Sequence, residues 1–128
     1  MEQIALLITS FLFGGMLLFA VGFGPIVLKN LEGNVARVFI RNTFPHFYIF
    51  VLVISFLAAV TVFAFAPFAS IGLLAISFST IPARQILMPA INAAADKGDR
   101  KKFKLLHALS VAITLAHIVI AGMVLCVL

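Results

Sequence analysis

The chain has 128 residues, of which 64% are hydrophobic, and it carries only nine basic and four acidic side chains. Eight of the nine Lys and Arg residues lie in two short polar stretches, residues 29–43 and 92–104. This layout excludes a soluble globular domain and predicts an integral membrane protein. No nucleophile–base pair, carboxylate pair, phosphate-binding loop or thiolate cluster indicates a hydrolytic enzyme. No aromatic-interleaved basic motif indicates nucleic-acid binding.

Four apolar segments are long enough to cross a bilayer, which takes about 20 residues as a helix. They are residues 4–28, 44–66, 67–91 and 105–128. The second and third would form one run without Pro67, which cannot continue a helix and restricts the residue before it. The sequence therefore predicts a single all-α domain, residues 1–128, built as a four-helix membrane bundle.

The two basic stretches predict the orientation of the bundle. With four spans, both stretches lie on the same side of the membrane, and the opposite side carries only Glu2. The positive-inside rule then places both stretches in the cytoplasm and both termini outside. We therefore expect a multi-pass protein of the bacterial cytoplasmic (inner) membrane. The first span has no basic region before it, so we expect it to be a retained helix rather than a cleaved signal peptide.

The first connection, residues 29–43, has apolar residues at helical spacing, while Arg37 and Arg41 share another face. This pattern predicts a short amphipathic helix lying in the membrane interface. Thr43 would then cap the second span, with Pro45 in its first turn. Such a helix is either a membrane-surface anchor or a lid over a cytoplasmic opening.

The second connection, residues 92–104, predicts a helical hairpin that extends beyond the membrane. Gly98 suits a helix C-terminus, and Asp99 suits the N-cap of the next helix. Basic side chains in both connections would attract anionic lipid, each by roughly 1 kcal/mol near the surface. The predicted membrane-surface residues are Arg37, Arg41, Lys97, Arg100, Lys101, Lys102 and Lys104.

Polar side chains form stripes on the third and fourth spans. On the fourth span they fall within an arc of about 80°, at about 100° per residue. On the third span Arg84 shares a face with Ser77, Thr80 and Met88, and Asn92 lies further round. A polar stripe on an apolar helix faces the bundle interior. The stripes predict a ligand-binding pocket in the cytoplasmic half, formed by Arg84, Asn92, His107, Ser110, Thr114 and His117.

Arg84 has no carboxylate partner within any predicted span. An unpaired guanidinium in hydrocarbon is costly. Three arrangements would relieve this cost. The side chain can extend to the interface, donate to carbonyls freed by Pro82 and Pro89, or bind an anionic ligand.

The three histidines allow several roles. His46 and His107 lie at a similar depth near the cytoplasmic interface, so either is a candidate haem or metal ligand. His117 lies deeper and suits a proton relay. Interhelical hydrogen bonding is the alternative for all three.

Three stretches together resemble one membrane family. Phe39-Ile-Arg-Asn-Thr-Phe-Pro-His-Phe-Tyr48 resembles an FxRxxFPxYY block, and Phe103-Lys-Leu-Leu-His-Ala-Leu-Ser-Val111 resembles FxxLHxxSV. Between them, Arg84-Gln-Ile-Leu-Met-Pro-Ala-Ile-Asn92, with Asp96 beyond it, resembles RxxLMPxIN followed by an acidic position. In this order they look like a bacterial family of unknown function related to the eukaryotic transmembrane protein 205 family.

The resemblance implies the four-helix fold and no established reaction. The first block departs from the pattern, since His46 and Phe47 precede Tyr48 where a paired aromatic is expected. The resemblance marks the following residues as members of one recurring pattern: Arg41, Pro45, Arg84, Pro89, Asn92, His107 and Ser110.

Three functions remain open at this point. The first is binding or transport of a small anionic or amphipathic ligand in the predicted pocket, with oligomerisation needed for a translocation path. The second is a haem- or porphyrin-binding redox protein, with His107 or His46 as axial ligand and Arg84 on a propionate. The third is a non-catalytic accessory subunit of a larger membrane complex. Anionic lipid at the cytoplasmic face is the partner common to all three.

Overall fold

A computed structural model describes all 128 residues, and the chain forms four long helices and no β-strand. The helices are α1 (Glu2–Asn30), α2 (Gly33–Phe63), α3 (Pro67–Asp96) and α4 (Arg100–Val127). Each is long and apolar enough to cross a membrane, with a mean hydropathy between 1.4 and 2.4 over an 18-residue window. The predicted all-α four-helix membrane bundle is confirmed, and the protein is an integral membrane protein with several spans.

Two of the three turns form where the sequence predicts them. α3 begins at Pro67, whose missing N–H is not needed in a first turn. Gly98 adopts φ +71°, a left-handed conformation that suits glycine at the end of a helix. Asp99 then caps α4, because its Oδ1 accepts a hydrogen bond of 3.1 Å from the Lys102 backbone N–H. Pro67 and Gly98 thus lie at opposite ends of the bundle.

The first connection differs from the prediction. α2 begins at Gly33, with only two residues between it and the end of α1. The predicted interfacial helix is therefore present as the first turns of α2 and not as a separate element. Thr43 does not cap a helix, since its hydroxyl donates to the Phe39 carbonyl oxygen at 2.6 Å. Nothing before Pro45 stops a helix, and α2 carries that proline inside without ending.

We call the end of the bundle that carries the α1–α2 and α3–α4 linkers the basic end, and the opposite end the far end. Helices α1 and α3 each contain a π-helical stretch, at Leu18–Phe23 and Ala83–Leu87. The stretch in α3 lies between Pro82 and Pro89. A π turn holds more residues than an α turn. The side chains beyond it therefore point in other directions than regular α winding of the same residues would give them.

The core lies in the far half of the bundle. Two serine hydroxyls join α2 to α3 there: Ser70 Oγ donates to the Ala59 carbonyl at 2.8 Å, and Ser77 Oγ to the Leu52 carbonyl at 2.9 Å. In the basic half, by contrast, α4 buries no residue before His117. The helices are therefore closely packed at the far end and spread apart at the basic end.

Candidate ligand cavity

The spread helices enclose a cavity of about 920 Å³ whose walls come from all four helices. Its volume lies at the upper end of the range for small-molecule sites, roughly 300–1,000 Å³. The lining changes along the bundle axis. Three arginines line it near the basic end, and four aromatic side chains line it deeper in. These residues are Arg37, Arg41, Arg100, Phe19, Phe44, Phe47 and Tyr48.

The deep part of the cavity is an aromatic cluster that joins α1 to α2. Phe19 of α1 stacks on Phe47 of α2, with ring centroids 4.2 Å apart and planes inclined by 8°. Phe44 meets the same Phe19 ring edge-on at 5.3 Å. Aromatic pairs in these geometries contribute beyond the area they bury. The cluster therefore gives the cavity a fixed apolar floor.

Arg41 joins α2 to α3 at the mouth of the cavity. Its Nη2 lies 2.9 Å from Asp96 Oδ1 and donates to the Asn92 carbonyl oxygen at 3.5 Å. This is the only salt bridge in the chain. Arg37 and Arg100 therefore line the cavity without a carboxylate partner.

The structure brings four of the six predicted pocket residues to this cavity. They are Asn92 on α3 and His107, Ser110 and Thr114 on α4. The hydroxyl of Ser110 donates to the His107 carbonyl oxygen at 2.7 Å, which satisfies it within its own helix. The other two predicted residues, Arg84 and His117, are not part of the lining.

Arg84 is half-buried between α2 and α3. Its Nε donates to the Pro45 carbonyl oxygen at 3.3 Å, and its Nη1 donates to Gln85 Oε1 at 2.7 Å. This corresponds to the second of the three predicted arrangements, in which Arg84 donates to a backbone carbonyl oxygen. The acceptor belongs to α2, however, and is not one of the carbonyls that Pro82 and Pro89 free.

His117 is buried and joins α4 to α3. Its Nε2 lies 2.7 Å from Ser79 Oγ, and that hydroxyl is also 3.2 Å from the Ile76 carbonyl oxygen. The hydroxyl has one hydrogen, so when it donates to the carbonyl the imidazole N–H donates to it.

The sequence pattern does not predict this serine–histidine contact, because Ser79 and His117 are 38 residues apart on different helices. The contact lacks the third member of a hydrolytic triad. All four carboxylates of the chain lie near helix ends, at Glu2, Glu32, Asp96 and Asp99. It is therefore an interhelical hydrogen bond.

The two candidate haem ligands occupy different environments. His107 lines the cavity and stacks on Phe103, with ring centroids 5.7 Å apart and planes inclined by 6°. His46 is exposed on α2 and is not part of the lining. No group of three or more His, Cys, Asp or Glu side chains is placed to hold a metal ion.

The predicted membrane-surface residues fall into two groups. Arg37, Arg41 and Arg100 line the cavity. The four lysines are exposed outside it, at positions 97, 101, 102 and 104. The pairing of Arg41 with Asp96 was not predicted from the sequence. The sequence did contain an indication of this pairing. Arg41 lies in the first motif block, and Asp96 is the acidic position just beyond the second block.

Four long apolar helices around one polar-mouthed cavity define a multi-pass membrane protein with a candidate ligand site. The model of the family described as "Domain of unknown function (DUF4149)" matches residues 7–100, and the chain belongs to this family. The match covers most of α1 and all of α2 and α3, and it ends where α4 begins. No curated protein and no solved structure matches the chain.

Proposed function

We propose that this protein binds a small anionic or amphipathic ligand in the cavity at the basic end. The supporting observation is the graded lining: arginines at the mouth and a stacked aromatic floor. Guanidinium groups bind carboxylates and phosphates through paired N–H donors. The floor offers apolar area to a hydrophobic moiety. A ligand with an anionic group and an apolar body satisfies both parts.

We place this cavity on the cytoplasmic side of a bacterial inner membrane, with both termini outside. The supporting observation is that both basic linkers lie at one end, to which the positive-inside rule applies. The relation to the eukaryotic transmembrane protein 205 family is likewise a proposal, and it rests on the three motif blocks.

Binding is tested with dansyl-undecanoate, a fluorescent carboxylate with an apolar body, added to the protein in lipid nanodiscs. Saturable binding is expected. Thr114→Phe, which fills the cavity, should abolish it. Val119→Phe is the matched control, because Val119 lies on the same helix, is exposed and is not part of the lining. Binding that survives Thr114→Phe, or that both variants weaken equally, would contradict the proposed site.

A haem-binding function is supported by one observation, the position of His107 in a cavity that also contains unpaired arginines. His107 would be the axial ligand, and Arg37 or Arg100 would pair with a propionate. A Soret band that shifts on reduction and disappears in His107→Ala would support this alternative. The accessory-subunit role stays a prediction, which co-purification with one stable partner would support.

A further inference from the structure

The helices around the cavity are joined on three sides. α1 is joined to α2 by the Phe19–Phe47 stack. α2 is joined to α3 by the Arg41–Asp96 pair. α3 is joined to α4 by the turn at Gly98. Each junction is a specific contact or a covalent connection at the basic half of the bundle.

The fourth side, between α1 and α4, has no such junction in the basic half. No hydrogen bond, salt bridge or aromatic pair joins residues 18–30 of α1 to residues 100–115 of α4. The edges of both helices nonetheless line the cavity, and their side chains there are apolar and exposed. These edge residues are Val21, Leu28, Val111 and Leu115. The cavity is therefore open sideways between apolar edges.

An opening with apolar edges at this position faces the hydrocarbon of the bilayer. A water-soluble ligand would gain nothing from such edges, whereas an acyl chain can pass between them without being exposed to water. The opening continues inward to the aromatic floor and toward the basic end to the arginines. Its geometry matches a molecule that already lies in the membrane with its head at the interface.

Two polar features of the cavity indicate the head group. Arg37 and Arg100 line it as exposed side chains without an acidic partner. Tyr48 is only 6% exposed, but its hydroxyl oxygen is accessible from the cavity and makes no hydrogen bond within the chain. These groups are therefore free to bond to a ligand. A phosphate-bearing head between the arginines and a polar linkage near Tyr48 would use them.

We propose that the ligand of this site is an anionic phospholipid that enters sideways between α1 and α4. One acyl chain occupies the aromatic floor, and the phosphate-bearing head pairs with Arg37 and Arg100. This inference rests on the proposed ligand-binding function and names its ligand class. Free phosphate, the other source of the same head chemistry, would leave the apolar floor unoccupied.

The chain contains its own reporter for this proposal. It has one tyrosine and no tryptophan, and that tyrosine lines the cavity. Bromine atoms on an acyl chain quench tyrosine fluorescence on contact. The protein is therefore placed in phosphatidylcholine nanodiscs that contain a minor fraction of chain-brominated phosphatidylglycerol or, in a parallel sample, chain-brominated phosphatidylcholine. Tyr48 should be quenched preferentially by the anionic lipid.

The reference for bulk lipid is Ile49→Tyr in a Tyr48→Phe background. Ile49 is the adjacent residue, is exposed and is not part of the lining, so this tyrosine reports lipid at the same depth outside the cavity. We expect little head-group preference there. Arg37→Gln and Arg100→Gln should each lower the preference at Tyr48 by about tenfold, because each removes a charge-assisted hydrogen bond to the phosphate. Lys29→Gln, which removes an exposed charge outside the lining, should lower it less.

Three other outcomes would overturn the inference. If both brominated lipids quench Tyr48 equally, the site does not select an anionic head group. If Tyr48 is not quenched while the Ile49→Tyr reporter is, no acyl chain occupies the cavity. If the preference is unchanged in Arg37→Gln and Arg100→Gln, the arginines do not bind the head group.

A second measurement distinguishes failure of the lipid inference from failure of the proposed ligand-binding function. Glycerol 3-phosphate is titrated calorimetrically into the same nanodiscs without brominated lipid. If the quenching test fails but glycerol 3-phosphate binds and needs Arg37 and Arg100, the cavity binds a soluble phosphate and only the lipid inference is wrong. If the quenching test fails and neither glycerol 3-phosphate nor dansyl-undecanoate binds, both proposals are wrong.

Discussion

Arg41 and Asp96 are 55 residues apart in the chain, yet Arg41 Nη2 lies 2.9 Å from Asp96 Oδ1. The pair closes the α2–α3 side of the cavity at its mouth, where the two side chains are 35% and 58% exposed. Water therefore screens the pair substantially. Its main effect is to fix the distance between two helices that spread apart at this end.

Exchanging the two charges tests that junction. Arg41→Asp and Asp96→Arg should each destabilise the folded protein, and the double variant should recover part of the loss. Exposed pairs couple by about 0.2–1 kcal/mol, which sets the expected coupling free energy. The measurement is a double-mutant cycle of unfolding free energies in mixed micelles. Additive effects of the two substitutions would show that the pair does not couple α2 to α3.

The hydrogen bond between Ser79 and His117 should contribute to holding α3 against α4. Ser79→Ala and His117→Ala are expected to couple by about 0.6 kcal/mol and at most about 1.7 kcal/mol, as interhelical hydrogen bonds in membranes do. Ser110→Ala is the matched control, because the Ser110 hydroxyl bonds only within its own helix. A Ser110–His117 coupling as large as the Ser79–His117 coupling would contradict the assigned contact.

Neighbouring glycines in α1 should respond oppositely to substitution. A Cβ at Gly15 would lie 2.6 Å from Phe50 Cζ, whereas a Cβ at Gly14 would meet nothing within 4 Å. Gly15→Val should therefore cost about 1–3 kcal/mol of unfolding free energy through overpacking. Gly14→Ala should stabilise by about 0.5–1 kcal/mol, because alanine favours a helix interior.

Thermal unfolding of both variants in the same detergent measures this difference. Phe50→Leu in the Gly15→Val background provides the control, since a shorter side chain should relieve the clash. If Phe50→Leu restores no stability to Gly15→Val, then α1 and α2 do not approach each other closely at Gly15 and Phe50.

The orientation is tested with single cysteines in a Cys126→Ser background. Glu2→Cys should react with a membrane-impermeant maleimide on intact cells, because we place the N-terminus outside. Lys101→Cys, in the basic linker, should react only after the cells are opened. The reverse labelling pattern would place the cavity on the outer side, and labelling of both cysteines in intact cells would contradict the four-span arrangement.

The parts of the fold that the sequence predicted correctly are those that local chemistry determines. Pro67 begins a helix because a proline N–H is not needed in the first turn. Gly98 and Asp99 end one helix and cap the next through their own backbone and side-chain geometry. None of these features depends on how the helices are rotated against one another.

The parts that were missed depend on that rotation. A helical wheel correctly places Arg84 on the same face as Ser77, because both side chains donate to backbone carbonyls of α2, those of Pro45 and Leu52. That face packs against α2 instead of lining the cavity, and residue spacing alone does not show which neighbour a face meets. The Ser79–His117 contact likewise follows from the facing of two helices, which residue spacing does not determine.

The π turn in α3 also accommodates one extra residue without changing the direction that the helix beyond it faces. Deleting one residue from Ala83–Leu87 would return the stretch to regular α winding, since a π turn closes its hydrogen bond one residue further on than an α turn. The segment from Met88 onward would then keep its orientation, so Asp96 would still face Arg41 and Asn92 would stay in the cavity wall. Regular α winding of the undeleted chain would instead turn that segment by about 100°, the rotation of one residue. The π turn, rather than any particular side chain, thus sets the alignment between the packed half of α3 and its open half.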